Sequence, residues 1–175
     1  MGNAVVIWAF LAIAAVFVAE VVLSMTWNRW YFTFGVPIFI RRIDRPRGLA
    51  DVSLEELEKS SATAAGAPLV FRRLDERAIA FREKPFGGLL HYAPLMRGVM
   101  RAPEAEAAIV VMGLMNWTFI ALLTAFAILL GRGFKDVAIY FAISFGVLYL
   151  IQGVRFARVA KKLRSATPVS PSAMR

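Results

Sequence analysis

Four polar side chains stand within or beside long apolar runs: Glu20, Asn116, Tyr149 and Gln152. A carboxylate in hydrocarbon is costly, and where one is kept it often serves proton transfer, ion passage or ligand binding. Glu20 is an acid inside an apolar run, about five residues, or ~8 Å at helical rise, from the run's end. Asn116, Tyr149 and Gln152 fall at similar depths on the other runs. Together the four predict one polar level, which would be a pocket, a lipid-headgroup cradle or a proton-linked site. The same residues also fit plain packing, with Asn116 and Gln152 hydrogen-bonding across helices and Glu20 reaching toward Arg29.

A second group is basic. Arg41, Arg42, Arg72, Arg73, Arg77, Arg82 and Lys84 lie in the polar stretch after the first apolar run, with Arg45 and Arg47 nearby. Cations close to a membrane attract anionic headgroups, so these residues are candidate contacts to lipid or to an acidic partner. The competing reading is a solvated face whose charges pair locally with Asp44, Asp75, Glu76 and Glu83. The net charge of +9 would also suit nucleic acid. Placement favours lipid, because basic residues crowd the ends of the apolar runs.

Several chemistries are excluded or unsupported. The chain has no cysteine and one histidine, His91, so thiolate chemistry and a multi-histidine metal site are ruled out. His91-Tyr92 could move a proton, but a lone histidine without an acidic neighbour reads as structural. No phosphate-binding glycine loop, nucleophile elbow or carboxylate pair is present. No cofactor and no metal are expected.

The elements that must position these residues follow from hydropathy. Runs Ala4–Met25, Ala107–Gly131 and Val137–Val154 are each long enough to suggest a helix crossing ~30 Å of hydrocarbon. The 59% hydrophobic composition exceeds that of ordinary soluble domains. The expectation is an integral membrane, mainly α protein: three transmembrane helices (4–26, 104–131, 137–156) with a small, strand-rich α+β cytoplasmic insert (27–103) and a basic, then disordered, tail (157–175). The first run lacks a basic n-region and reads as a retained anchor rather than a cleaved signal. Arg29, Arg41, Arg42, Arg97 and Arg101 flank the insert, and five basic residues from Arg155 to Arg164 follow the last run. They place the N-terminus outside the inner membrane and the insert and C-terminus in the cytoplasm. Trp27, Trp30 and Tyr31 are the expected interface anchors.

Within the insert, 31–43 reads as an edge strand interrupted at Pro37, or as a segment lying on the membrane surface. Ser53-Leu54-Glu55-Glu56 resembles a capping box opening a short helix, 60–68 a flexible linker, and 69–84 a β-hairpin turning at Asp75-Glu76-Arg77. An extended piece, 91–101, leads to the second run. With no catalytic motif, the function expected is a non-enzymatic membrane-anchored accessory or scaffold subunit, whose basic cap contacts a larger membrane complex, a homo-oligomeric partner or anionic lipid. The alternative is a small oligomeric transporter or channel-like subunit built around Glu20. A lipid-acting enzyme using His91 is the third reading.

Overall fold

The computed structural model describes residues 2–44, 49–61, 68–84, 96–104, 108–130 and 135–165. Five helices and five strands follow in the order α1 (Gly2–Met25), α2 (Arg29–Thr33), β1 (Pro37–Asp44), α3 (Leu54–Ser61), β2 (Leu69–Asp75), β3 (Ala78–Glu83), β4 (Met96–Arg101), β5 (Ala108–Met115), α4 (Trp117–Leu130) and α5 (Lys135–Ser165). The strands form one antiparallel sheet in the order β1-β5-β4-β3-β2. The expected readings at His91-Tyr92, most of the linker, Arg45 and Arg47 and the tail from 166 fall outside the described residues.

This architecture overturns the expectation of a mainly α, three-span protein. The second apolar run is not one helix. Its first part, AIVVMGLM, is β5, a central strand hydrogen-bonded to β1 and β4. A strand covered on both faces has no polar side to alternate with, so its sequence is continuously apolar and mimics a membrane helix. Asn116 then starts α4, whose 14 residues reach only about 21 Å. Among the described residues two helices, Ile7–Met25 and Ile139–Arg164, are long and apolar enough to cross a membrane.

The hairpin expected at 69–84 is present as β2 and β3, with Leu69↔Glu83 and Phe71↔Phe81 in register. β1 is an edge strand, starts at Pro37 and carries a register shift between Pro37 and Phe39. Proline is tolerated there because the first residue of an edge strand needs no ladder donor. The serine of the expected capping box accepts from the Glu56 amide at 3.4 Å, and α3 follows.

Alternation sorts the strand side chains onto two faces. On one face Ile79, Phe81, Met96, Met100, Ile109 and Val111 are buried beneath α3 and the second half of α5. Phe156, Val159, Ala160 and Leu163 of α5 recur at helical spacing and point into this core. Phe81 is at its centre, 5.2 Å from Phe71 and 4.8 Å from Phe156 between ring centroids. It lies over Gly98, where a Cβ would overlap the ring.

On the other face Tyr31 and Phe32 of α2 pack against Ala80. The chain reaches that face by a tight reversal after α1. The Asn28 amide donates to the Leu23 carbonyl at 3.0 Å and the Trp27 amide to that of Ser24 at 3.3 Å, the pair of bonds that ends a helix through a left-handed residue. That residue is Trp27, with φ 54°. Glycine is usual here, since a side chain disfavours this conformation. The indole is retained because it stacks on Phe32 at 5.3 Å and lies beneath the Arg82 guanidinium at 4.8 Å.

Candidate functional site

Glu20, Arg97 and Tyr31 meet where α1, α2, α4 and the sheet converge, and all three are buried. Each arrives from a different local rule. Glu20 lies near the end of α1, five residues before Met25. Tyr31 is carried under the sheet by α2, which opens with the Asn28 side chain accepting from the Tyr31 amide. Arg97 is on β4 opposite Leu114, facing α2 rather than α5.

The Glu20 carboxylate is saturated with donors. Oε1 accepts from the Tyr31 hydroxyl at 2.7 Å and from the Trp117 amide at 2.8 Å. Oε2 accepts from the Thr118 amide at 2.9 Å and from the Thr118 hydroxyl. A carboxylate has roughly four lone-pair sites, and all four are used. Trp117 and Thr118 form the first turn of α4, so the acid caps that helix and faces the positive end of its dipole.

Arg97 completes the joint. Nη1 is 3.9 Å from Glu20, and the fork donates to the carbonyls of Tyr31 (2.7 Å), Met115 (2.7 Å) and Phe34 (2.6 Å). The guanidinium lies 4.0 Å above the Tyr31 ring. Burial pulls the arginine below its ordinary pKa while Tyr31 and Glu20 oppose the shift; an arginine keeps its proton regardless. Burial first, then the negative charge of Glu20, pushes the Tyr31 phenol above its ordinary value, which keeps it a donor. The arrangement leaves the carboxylate no vacant acceptor site. It is a clasp that ties α1 and α4 to the sheet.

The polar level expected of four residues is divided. Asn116 joins Glu20: its carbonyl accepts from the Phe119 and Ile120 amides, and its Oδ1 is 3.5 Å from the Tyr31 hydroxyl. Tyr149 and Gln152 belong to α5 instead. Tyr149 donates to the Ile38 carbonyl at 3.0 Å, and Gln152 accepts from the Met96 amide at 2.9 Å. Arg29 does not receive Glu20 and pairs with Asp75 at 2.8 Å. Of the expected interface anchors, Trp30 is exposed and Trp27 is half-buried, whereas Tyr31 is buried within the clasp.

Sequence reasoning treated Arg97 as a flanking charge and passed over Thr118. A usable signal was present, since Arg97 interrupts the apolar alternation of MRGVMR. It also missed a second buried ion pair, Glu83 of β3 with Arg155 of α5, which fixes the helix to the sheet.

The basic candidates do not form one surface. Arg41 and Arg42 are on β1 and Arg72 on β2, the two edges of a five-stranded sheet about 19 Å wide. Arg73 donates to the carbonyls of Leu49 (3.1 Å), Ala50 (3.2 Å) and Val52 (3.4 Å), holding the approach to α3. Arg77 pairs with Glu104. Arg82 stacks on Trp27, and Lys84 is exposed just beyond β3. Among the described residues no group of three or more acids or histidines is placed to hold a metal. Comparison with protein-family models, curated proteins and solved structures finds no match.

Proposed function

We propose that the chain is a membrane-anchored, non-enzymatic scaffold that holds a basic antiparallel sheet against the surface of a bilayer. The observation that carries this reading is the uneven exposure of apolar side chains. Trp8, Phe10 and Val18 on α1 and Ile139, Ile143 and Leu150 on α5 are each more than half exposed, while the inner strands β3 and β4 bury their apolar residues. Contiguous exposure on this scale marks a surface meant for lipid or another apolar partner. α1 and the first half of α5 are the anchoring segments. The second half of α5 turns from lipid to protein at Tyr149, where its contacts with the sheet begin.

The same geometry supports an orientation. α1 ends and α5 finishes at the sheet, so the flanking cations Arg29, Arg155, Arg158, Lys161, Lys162 and Arg164 belong to one side. Clustered cations mark the cytoplasmic side of a bacterial-type inner membrane. A transport role centred on Glu20 is not favoured, because the carboxylate's acceptors are already filled.

Two measurements test the proposal. Full-length protein should float with zwitterionic vesicles and resist alkaline extraction; recovery in the soluble fraction refutes the anchor. The chain lacks cysteine, so single introduced cysteines report accessibility cleanly. Asn3→Cys should react with an impermeant maleimide in intact cells, and Glu55→Cys only after lysis. Labelling of Glu55→Cys in intact cells reverses the orientation.

A further inference from the structure

Arg82 is in an unusual position for a cation. It is half-buried, its charge is disfavoured by that burial, and among the described residues no carboxylate pairs with it. Its Nε is buried without a hydrogen-bond partner. The remaining contacts are weak: Nη1 to the adjacent Glu83 carbonyl at 3.3 Å and Nη2 to Met25 Sδ at 3.9 Å. A desolvated guanidinium lacking a counter-charge is an unfavourable arrangement that an anion relieves.

Location says which anion. Met25 is the last residue of the apolar window of α1, so Arg82 lies at the foot of that helix. If α1 is in a bilayer, this is the depth of the headgroups. Two further cations share the neighbourhood. Arg72 pairs with Ala80 and Val70 with Arg82 across β2 and β3, which puts Arg72 and Arg82 on the same face as diagonal neighbours. Lys84 follows two residues on, at the end of the sheet where β5 passes into α4. Both are exposed, and neither pairs with a described carboxylate. The Trp27 indole beneath Arg82 supplies an amphipathic platform suited to the interface.

We infer that Arg82, backed by Trp27 and assisted by Lys84 and Arg72, binds the phosphate of an anionic lipid headgroup. The guanidinium donates through its fork, and the two outer cations add charge. This rests on the proposed membrane anchoring, and the test separates the two.

Full-length protein in a mild non-ionic detergent is titrated with dihexanoyl-phosphatidylglycerol and, separately, with inorganic phosphate. Wild type should bind the lipid, and Arg82→Gln should lose about tenfold in affinity. Arg77→Gln, which removes the same charge at the far end of the hairpin, should bind as wild type does. The exposed double variant Arg72→Gln/Lys84→Gln, which leaves the Trp27 stack intact, should lose roughly fivefold or more. Arg82→Gln binding normally, or Arg77→Gln falling equally, overturns the site. Inorganic phosphate binding as tightly as the lipid overturns the headgroup assignment. Wild type that fails to float with zwitterionic vesicles refutes the anchor instead, and the detergent titration still decides the site.

Discussion

Replacing Glu20 by glutamine changes one oxygen to an amide nitrogen and removes one charge. The remaining carbonyl oxygen can accept from two donors. The amide then faces two more donors, so two of the four among Tyr31, Trp117 and Thr118 lose their acceptor. Each stranded buried donor costs about 1–3 kcal/mol. Arg97 also loses its nearest counter-charge, and removing one partner of a buried pair costs roughly 3–5 kcal/mol. The two costs overlap because the same groups are counted, so the expected destabilisation is about 3–5 kcal/mol. For a chain of this length that lowers Tm by roughly 10 °C. Thermal unfolding in mild detergent, followed by tryptophan fluorescence, is a suitable assay because Trp117 is part of the clasp. Val22→Ala, on an exposed position of α1, should stay within about 0.5 kcal/mol of wild type. Arg97→Met combined with Glu20→Gln should cost less than the two single changes added, because both break one unit. A Glu20→Gln protein that melts with wild type, or that abolishes a solute flux without loss of stability, would refute the clasp.

Gly98→Ala should destabilise by about 1–3 kcal/mol, since its Cβ would enter the Phe81 ring. Gly113→Ala should cost less, because its nearest obstacle, at 2.7 Å, is the sulfur of Met96, a side chain able to move; equal melting temperatures for the two variants would contradict this packing. Truncating one member of the buried Glu83–Arg155 pair, as in Arg155→Met, should cost roughly 3–5 kcal/mol, whereas Glu83→Leu with Arg155→Met should recover most of it. A double variant no more stable in thermal unfolding than Arg155→Met alone would contradict this coupling.

Much of the sheet domain was legible in the chain itself. Branched and aromatic residues on either side of a charged turn specify the β2–β3 hairpin, and Pro37 confines β1 to an edge. The apolar runs that became α1 and α5 declare themselves by length and composition. What the sequence alone misread was the run from Ala107. A central strand with neighbours on both sides and no exposed residue presents the same uninterrupted hydrophobicity as a membrane helix, and hydropathy does not distinguish them. Only pairing of β5 with β1 and β4 decides it. The roles of the charged residues were equally undetermined, because they depend on which distant segments meet. Glu20 finds its partners 11, 97 and 98 residues away. Arg72 and Arg73 are adjacent in sequence, yet strand alternation sends them to opposite faces, while Arg72 and Arg82 share one. Local pattern sets the period of an element. Burial and partners come from register between elements, and register exists only once the tertiary structure has formed.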